Sequence, residues 1–248
     1  MKALALIPSR YESKRFCGKP LAEIKGKPIV MWVYDAVKNS GLFSKVYVAT
    51  DDERIEKVLQ QYEAKYIMTS KELSCGTQRC EQALTILEQR GEKYDVVVNI
   101  QGDEPLIKTQ QMAKVLEGFE DKDAEIVTLA KKIEDIEQVK DVNVVKVVKA
   151  QNKALYFSRS IVPFNRDEDL KSLVEKGVYF KHIGIYAYLP KVLHEITLLE
   201  KSTLEQTESL EQLRWLENGY HINVMESEFD SIGVDTPQDL EHIKQIIN

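Results

Sequence analysis

Short apolar runs alternate with amphipathic segments through the first half of the chain. Four of the runs lack regular polar alternation, which is typical of strands buried on both faces of a parallel sheet. They span residues 3–8, 46–50, 66–69 and 96–101. The segments that separate them have apolar positions at helical spacing, and these are residues 29–38, 52–62 and 77–89. Strands that alternate with helices in this way predict parallel βαβ units with right-handed crossovers.

Polar residues at the starts of two of these predicted helices can cap them. Asp51 or Asp52 precedes the second helix, and Thr77 stands at the start of the third. Side-chain oxygens of these residue types accept hydrogen bonds from the unpaired backbone amides of a first helical turn. We therefore expect Asp51 or Asp52 to cap the second helix and Thr77 to cap the third.

The pattern changes after about residue 124. Strand-like runs then follow one another with few helices between them, and these runs are 126–133, 144–149, 154–158, 178–188 and 222–225. Helical patterns cover 190–199 and 204–218, and Pro237 opens a final helix behind Thr236 or Asp235. The whole pattern predicts an α/β protein whose second half adds strands in a mixed sheet.

The length of 248 residues fits a single domain with an inserted subregion. No apolar run approaches the roughly 20 residues that a membrane-spanning helix needs, and the apolar start is too short for a secretory signal. The cysteines Cys17, Cys75 and Cys80 are odd in number and lack metal-ligand spacing. We therefore expect a cytoplasmic protein that does not insert into a membrane.

The net charge of −6 argues against a nucleic-acid partner, because such proteins usually present a basic surface. It does not exclude local binding of phosphates. Arg10, Lys14, Arg15 and Lys19 follow the first predicted strand, at the end where open α/β sheets bind ligands. The segment matches neither the dinucleotide fingerprint nor the P-loop. Its cations suit phosphate oxygens, and a solvated basic loop is the alternative.

Two aspartates occupy comparable positions elsewhere in the chain. Asp103 lies in NIQGDEP directly after the run at 96–101, and Asp235 lies in SIGVDTPQDL. Mg²⁺ prefers carboxylate oxygens together with phosphate oxygens and water, so the pair is a candidate metal site. The alternatives are structural, with Asp103 or Glu104 capping the next helix and Asp235 capping the last one. Together with the cationic loop, the aspartates predict metal-assisted transfer involving a nucleoside triphosphate.

Eight segments carry a more specific pattern. In chain order they are IPSRYESKRFCGKPL, VATDDERI, CGTQR, VVNIQGDEPLI, ALYFSR, KHIGIYAY, LEQLRWLENG and GVDTPQDL. Together they resemble the 3-deoxy-manno-octulosonate cytidylyltransferases, also called CMP-KDO synthetases, of the sugar nucleotidyltransferase superfamily. GKPL and QGDEP are shared with that wider superfamily, whereas YFSR, LEQLR and GVDTP are more specific. The matches are collinear and span residues 7–240.

The resemblance implies transfer of CMP from CTP to the anomeric hydroxyl of KDO, with Mg²⁺ as cofactor and release of diphosphate, for lipopolysaccharide biosynthesis. It implies a Rossmann-like nucleotidyltransferase fold: a largely parallel central sheet flanked by helices, with a mixed or antiparallel strand subregion in the second half. Residues 1–248 would form one domain, usually in a homodimer. Its parts would be about 1–123 for the nucleotide, about 124–230 for the sugar and dimerisation, and about 231–248 for the metal-ligand turn and the C-terminal helix.

Positions that match the family motifs take the roles that the resemblance implies. The catalytic residues would be Lys19, Asp103 and Asp235, with both aspartates as metal ligands. The nucleotide would be bound by Pro8, Arg10, Arg15, Lys19, Cys75, Gly76, Arg79 and Gln101. The sugar acid would be bound by Arg159, His182, Tyr186, Glu211 and Gln212, and Arg159 would pair with its carboxylate.

The chain departs from the commonest family pattern at several positions. Ser9 replaces alanine, Cys17 replaces proline, Cys75 replaces serine, and Gln78 stands where an acidic residue precedes Arg79. Without the proline one φ restraint is missing, so we expect a more mobile phosphate loop. Gln78 removes a charge beside Arg79 and leaves open how that arginine is held.

Two alternative functions stay open at the level of sequence. One is a cytidylyltransferase for the 8-amino analogue of KDO or for another sialic-acid-like sugar. The other, from a different class, is a catalytically silent nucleotide-binding protein on the same scaffold. Turnover measured with each sugar acid would distinguish the first alternative from a KDO-specific enzyme. Release of diphosphate from CTP plus KDO would exclude the second alternative.

Overall fold

Each apolar run predicted as a strand forms a strand in the computed structural model, which describes residues 1–13 and 15–247. The strands are β1 (Ala3–Ser9), β2 (Glu23–Ile24), β3 (Lys27–Pro28), β4 (Lys45–Thr50), β5 (Tyr66–Met68), β6 (Val96–Asn99), β7 (Ile126–Lys132), β8 (Lys146–Ala150), β9 (Lys153–Ser158), β10 (Phe180–Tyr188) and β11 (Ile222–Glu226).

Helices connect most of these strands. They are α1 (Ile29–Asn39), α2 (Glu53–Gln61), α3 (Gly76–Gln89), α4 (Thr109–Glu117), α5 (Ile136–Lys140), α6 (Leu170–Glu175), α7 (Pro190–Thr197), α8 (Thr203–Glu208), α9 (Glu211–Glu217) and α10 (Pro237–Ile246). Two short 3₁₀ turns lie at Lys19–Leu21 and Gly118–Glu120. Among the described residues, none of the helices combines the length and the apolar character needed to cross a bilayer.

The chain folds into two compact units. The first comprises residues 1–112, 188–197 and 231–248, and the second comprises 113–187 and 198–230. Each unit mixes strands with helices, so the α/β class expected from the sequence is confirmed.

The strands of the first unit lie in the order β5–β4–β1–β6, and each neighbouring pair is parallel. The central strand β1 is apolar on both faces, and residues 4–7 are fully buried. This explains why its sequence lacks alternation, as expected for a strand covered on both sides. A second apolar cluster packs the β2–β3 hairpin and α1 against α10, through Ile24, Ile29 and Ile243.

The strands of the second unit lie in the order β10–β7–β11–β9–β8. β11 pairs in parallel with β7, whereas β9 pairs antiparallel with both β11 and β8. The expectation of a mixed sheet in the second half is therefore confirmed. Buried apolar residues of β7 and β10, together with Trp215 of α9, form the interior of this unit.

Three local predictions needed correction or refinement. Asp52 caps α2 through a hydrogen bond from the Arg54 amide, which settles the choice between Asp51 and Asp52. The Thr77 cap is wrong, because α3 begins one residue earlier and Cys75 holds the N-cap position. The single helix expected at 204–218 is wrong, because Ser209 takes a left-handed conformation with φ 53° and divides it into α8 and α9.

Candidate active site

Three charged residues of the first unit meet at the ends of β6 and α10. The ammonium group of Lys19 contacts the Asp103 carboxylate and lies 3.3 Å from Oδ1 of Asp235. The other oxygen of Asp235 lies 3.1 Å from a guanidinium nitrogen of Arg15. The structure thus brings together the three residues predicted to be catalytic. The Lys19 side chain is only 12% exposed, which strengthens its attraction to both carboxylates.

Backbone contacts hold the two aspartate loops together. The Val234 amide donates a hydrogen bond of 2.9 Å to the Asp103 carbonyl oxygen. Gly102 packs so closely against the end of β1 that a Cβ there would lie 2.8 Å from the Pro8 carbonyl oxygen. Such a distance is far below ordinary contact, so the loop can follow this path only with glycine before Asp103.

The helix-capping alternatives for the aspartates are wrong. Thr236 is the N-cap of α10 and forms a capping box with Asp239, so the Asp235 carboxylate is not needed as a cap. Helix α4 begins only at Thr109, well beyond Asp103. The carboxylate of Asp103 instead pairs with Lys19.

The cationic loop closes on itself before Lys19. The Gly18 amide donates to the Tyr11 carbonyl oxygen at 2.9 Å, and the left-handed φ of 73° suits glycine. The Arg54 guanidinium stacks on the Tyr11 ring, 3.3 Å from its centroid, while Asp52 binds that guanidinium by two oxygens. These contacts tie the loop to α2. Whether the loop with Cys17 is more mobile stays a prediction.

The cations of this loop differ in their surroundings. Arg10 is exposed at the end of β1, and no ion pair joins it to any residue that the structure describes. Arg15 is exposed and paired with Asp235, whereas Lys19 is largely enclosed. Lys14 lies outside the described residues.

Arg79 is held inside the first unit. Its side chain is 3% exposed and lies 2.8 Å from Oδ2 of Asp51, with a further hydrogen bond to Thr69. Gln78 instead accepts hydrogen bonds from Ser74. Asp51 therefore balances the charge of Arg79, which answers how this arginine is held without an acidic neighbour in sequence.

The remaining nucleotide candidates surround the end of β1. Cys75 precedes α3, and a Cβ at Gly76 would lie 3.2 Å from the ring of Pro8. Gln101 is half-buried directly after β6. The first unit thus places Pro8, Gly76 and Gln101 at the carboxyl ends of parallel strands, the edge at which such sheets bind ligands.

The aspartate pair suits one hard cation. Two carboxylates converge on a single ammonium group, so the loops present oxygen donors to one position of positive charge. Mg²⁺ commonly takes one or two carboxylates and completes its coordination with phosphate oxygens and water. Within residues 1–13 and 15–247 no group of three or more potential metal ligands is found.

In the second unit, His182 and Tyr186 lie side by side on β10. The His182 ring is 5.3 Å from the Tyr186 ring and 5.2 Å from the Phe157 ring, and Nε2 lies 3.0 Å from Oγ1 of Thr128. Burial lowers the pKa of His182 to about 3 and raises the pKa of Tyr186 well above its ordinary value. Both side chains are therefore neutral at pH 7.

Glu211 and Gln212 begin α9, whose Trp215 packs edge-on against Tyr186 at 5.2 Å. The buried Arg214 orients Glu211 by an ion pair of 2.7 Å, and it also donates to the Leu199 carbonyl oxygen. Tyr186 and the start of α9 are thus brought together in the second unit.

Arg159 follows β9 and is joined to the end of α8. Its amide donates to Oε2 of Glu208 at 2.9 Å, and its Nε donates to the Glu208 carbonyl oxygen at 2.8 Å. Glu208 lies three residues before Glu211 in the chain. All five predicted sugar-binding residues therefore lie in the second unit.

The sequence interpretation missed the residues that hold these side chains. Arg214 lies in the quoted LEQLR motif at helical spacing from Glu211, and that spacing was an available signal. Glu208 and Asp51 make contacts with residues distant in the chain, for which one sequence carries no signal.

Several known proteins are similar to this chain. A family model described as cytidylyltransferase matches residues 4–227. The 3-deoxy-manno-octulosonate cytidylyltransferase of Phocaeicola vulgatus is 51% identical over 97% of this chain and 95% of its own length. The enzyme of the same name from Bacteroides thetaiotaomicron is 49% identical over 100% of this chain and 98% of its own. The chain is therefore a cytidylyltransferase, an enzyme that transfers a nucleotidyl group.

A solved structure narrows the class further. CMP:2-keto-3-deoxy-manno-octonic acid synthetase, complexed with CTP, superposes with a TM-score of 0.89 at 38% identity, covering 100% of this chain and 98% of that one. The chain belongs to the 3-deoxy-manno-octulosonate cytidylyltransferase family.

Proposed function

We propose that this enzyme transfers CMP from CTP to KDO, with release of diphosphate. The observation that carries the proposal is the meeting of Lys19, Asp103 and Asp235 in a member of this family. Full-length similarity to enzymes named for this reaction supports the choice of substrates. The parallel strands of the first unit support a Rossmann-like nucleotidyltransferase fold.

The first unit supplies the groups for the nucleotide. Arg10, Arg15 and Lys19 bind phosphate oxygens of CTP, and Lys19 offsets the charge that grows on the departing diphosphate. Pro8, Cys75, Gly76 and Gln101 contact the base and ribose. The buried position of Arg79 between Asp51 and Thr69 indicates that it acts by shaping this surface.

Asp103 and Asp235 hold Mg²⁺ in this proposal. Bound Mg²⁺ polarises phosphate oxygens and lowers the pKa of an oxygen nucleophile. Lys19 and Arg15 form ion pairs with the two carboxylates, which reduces the repulsion between these neighbouring negative charges.

The second unit supplies the groups for the sugar acid. Arg159 pairs with the carboxylate, since a guanidinium presents parallel donors to two carboxylate oxygens. Glu211 and Gln212 bind sugar hydroxyls, and the neutral His182 and Tyr186 form an uncharged wall. These assignments follow from the family motifs and from their grouping within one unit.

The reaction is a single in-line displacement. The anomeric hydroxyl oxygen of KDO forms a bond to the α-phosphorus of CTP, and the bond from that phosphorus to the oxygen bridging to the β-phosphorus breaks. The hydroxyl proton leaves to solvent, and the bonding electrons leave with diphosphate. No covalent enzyme intermediate is required.

Release of diphosphate by the purified chain tests the proposal. CTP and UTP are each combined with KDO, its 8-amino analogue and a sialic acid, with and without Mg²⁺. The fastest turnover is expected for CTP with KDO and Mg²⁺. Preference for another sugar acid would reassign the substrate, and absence of turnover with every pair would identify a silent nucleotide-binding protein.

Variants test the residue roles. Asp103→Asn and Asp235→Asn should each lower kcat by about 10²-fold or more, because each removes charge at the reacting phosphate. Asp35→Asn is the matched control, since Asp35 forms an ion pair with Lys27 elsewhere in the first unit. Near-normal rates in both active-site variants would contradict the assignment. A single nucleotidyltransferase domain, a homodimer, a cytoplasmic location and a role in lipopolysaccharide synthesis stay predictions.

A further inference from the structure

Lys146 is a fully buried lysine whose partners are all backbone oxygens. Lys146 is the first residue of β8, and it has no exposed surface. The ammonium group donates to the carbonyl oxygens of Asp141 at 2.9 Å, Val144 at 2.7 Å and Arg159 at 2.5 Å. Burial of a charge is costly unless hydrogen bonds compensate it, so this arrangement specifies the local backbone closely.

These three hydrogen bonds connect the backbone of Arg159 with the turn at residues 141–144. One reaches the carbonyl oxygen of Arg159 itself, and the others hold the turn at residues 141–144. Within that turn, the Val142 carbonyl oxygen accepts a hydrogen bond of 3.1 Å from Nη1 of Arg159. Lys146 therefore places an acceptor for the Arg159 guanidinium as well as the Arg159 backbone.

Glu208 forms the second attachment of Arg159. Its carboxylate accepts from the Arg159 amide at 2.9 Å and from the Ser158 hydroxyl at 2.6 Å, while its carbonyl oxygen accepts from Nε at 2.8 Å. The Nε–H group and one N–H group of Nη1 of Arg159 therefore already donate hydrogen bonds within the protein. In the described parts of the chain Nη2 donates no hydrogen bond, so the outer edge of the guanidinium can bind a carboxylate.

We propose that Lys146 and Glu208 are positioning residues that orient Arg159 for the carboxylate of the sugar acid. The inference rests on the proposed function, in which Arg159 binds that carboxylate. Neither residue needs to touch the substrate. Because Arg159 is held at its backbone, at Nε and at Nη1, its side chain loses little conformational entropy when it binds the carboxylate. This holding should therefore increase the affinity for the sugar acid and not that for CTP.

Steady-state kinetics of the full-length enzyme test this role. Lys146→Met removes the ammonium group while keeping much of the apolar stem. The KM for KDO should rise by about ten-fold, the loss expected when one charge-assisted hydrogen bond is misaligned, while the KM for CTP changes little. Lys149→Met is the matched control, because Lys149 lies on the same strand but pairs with Glu226.

Further variants keep the test decisive if Lys146→Met fails to fold. Glu208→Ala should raise the KM for KDO selectively, and Glu208→Gln, which retains one acceptor oxygen, should recover part of the loss. Thermal unfolding of each variant separates misfolding from misorientation. Equal increases in both KM values would overturn the proposal.

Arg159→Ala distinguishes failure of this inference from failure of the proposed function. If Arg159→Ala leaves the KM for KDO unchanged, the carboxylate-binding role of Arg159 is wrong. If it raises that KM while the variants of Lys146 and Glu208 behave like the normal enzyme, Arg159 binds the sugar without these positioning residues.

Discussion

Gly102 offers a sharp steric test of how Asp103 is placed. A methyl group at this position would overlap Oγ of Ser9 and lie 2.8 Å from the Pro8 carbonyl oxygen. The Pro8 oxygen belongs to the backbone of β1, which pairs with β4 through Pro8 and Ser9, so it cannot turn away as a flexible side chain would. The loop carrying Asp103 must therefore move in the Gly102→Ala variant.

The size of the movement follows from the contact distance. Ordinary contact to a Cβ starts near 3.4 Å, so the loop must retreat by about 0.6 Å. A misplacement of about 1 Å near reacting groups can cost roughly 10²-fold in rate, so we expect kcat/KM to fall by about ten-fold. Overpacking of this kind should also destabilise the fold by about 1–3 kcal/mol.

Gly233→Ala is the matched control in the neighbouring aspartate loop. A methyl group there would make ordinary contacts of 3.7 Å with the Asp103 carbonyl oxygen and the Glu104 side chain. Diphosphate release with CTP and KDO, together with thermal unfolding, should show a large effect for Gly102→Ala and a small one for Gly233→Ala. Full activity in Gly102→Ala, or equal losses in the two variants, would refute the steric reasoning.

Three other perturbations concern His182, Arg214 and Asp51. In the folded chain the pKa of His182 is lowered to about 3, whereas in the unfolded chain it has its ordinary value of about 6.5. Between these values only the unfolded chain binds the proton, so the free energy of unfolding should fall as the pH decreases below about 6.5. The expected loss is about 2 kcal/mol at pH 5. Urea unfolding across this pH range checks the slope, which should be smaller in His182→Gln; identical slopes would contradict the assignment. Arg214→Met should free Glu211 and raise the KM for KDO more than that for CTP, and kinetics with equal effects would argue against it. Asp51→Asn should destabilise the fold by about 3–5 kcal/mol by leaving Arg79 buried without its counter-charge, and thermal unfolding with almost no shift would disprove this.

The sequence could predict the acidic and basic residues of the first unit because their positions follow a local rule. Asp103 lies in the loop that follows the buried strand β6, and Lys19 lies in the loop after β1. In a parallel sheet such loops gather at one edge, so alternation of strands and helices already places them together. The structure was needed to exclude the helix-cap alternative for Asp235, and its role as a metal ligand stays a prediction. Thr236 takes the capping role, which frees the Asp235 carboxylate for Lys19 and Arg15.

The errors in the predicted helices arise where the sequence lacks a local signal. Ser209 adopts the left-handed conformation without being glycine, so nothing in the apolar periodicity marked the end of α8. The short helices α5 and α6 were not predicted, since five or six residues carry too few turns to show a period. Tertiary packing decides such segments more than intrinsic propensity does.

The residues that contact the predicted sugar-binding residue Arg159 are less visible for a different reason. Lys146 binds three backbone carbonyl oxygens. Every residue type carries such an acceptor, so no pattern of side chains in the sequence indicates these hydrogen bonds. Glu208 meets Arg159 across 49 positions of sequence. The family motif reveals Arg159, but only coordinates reveal what holds it.

Charge pairing reconciles the acidic composition with a triphosphate ligand. Arg15 and Lys19 oppose Asp103 and Asp235, so these four charges cancel while no ligand is bound. Arg10 stands outside this balance as an exposed cation at the end of β1. A phosphate that displaces the carboxylates from Lys19 must therefore bring compensating positive charge for Asp103 and Asp235. In the proposed function, the Mg²⁺ that accompanies the triphosphate would supply this charge.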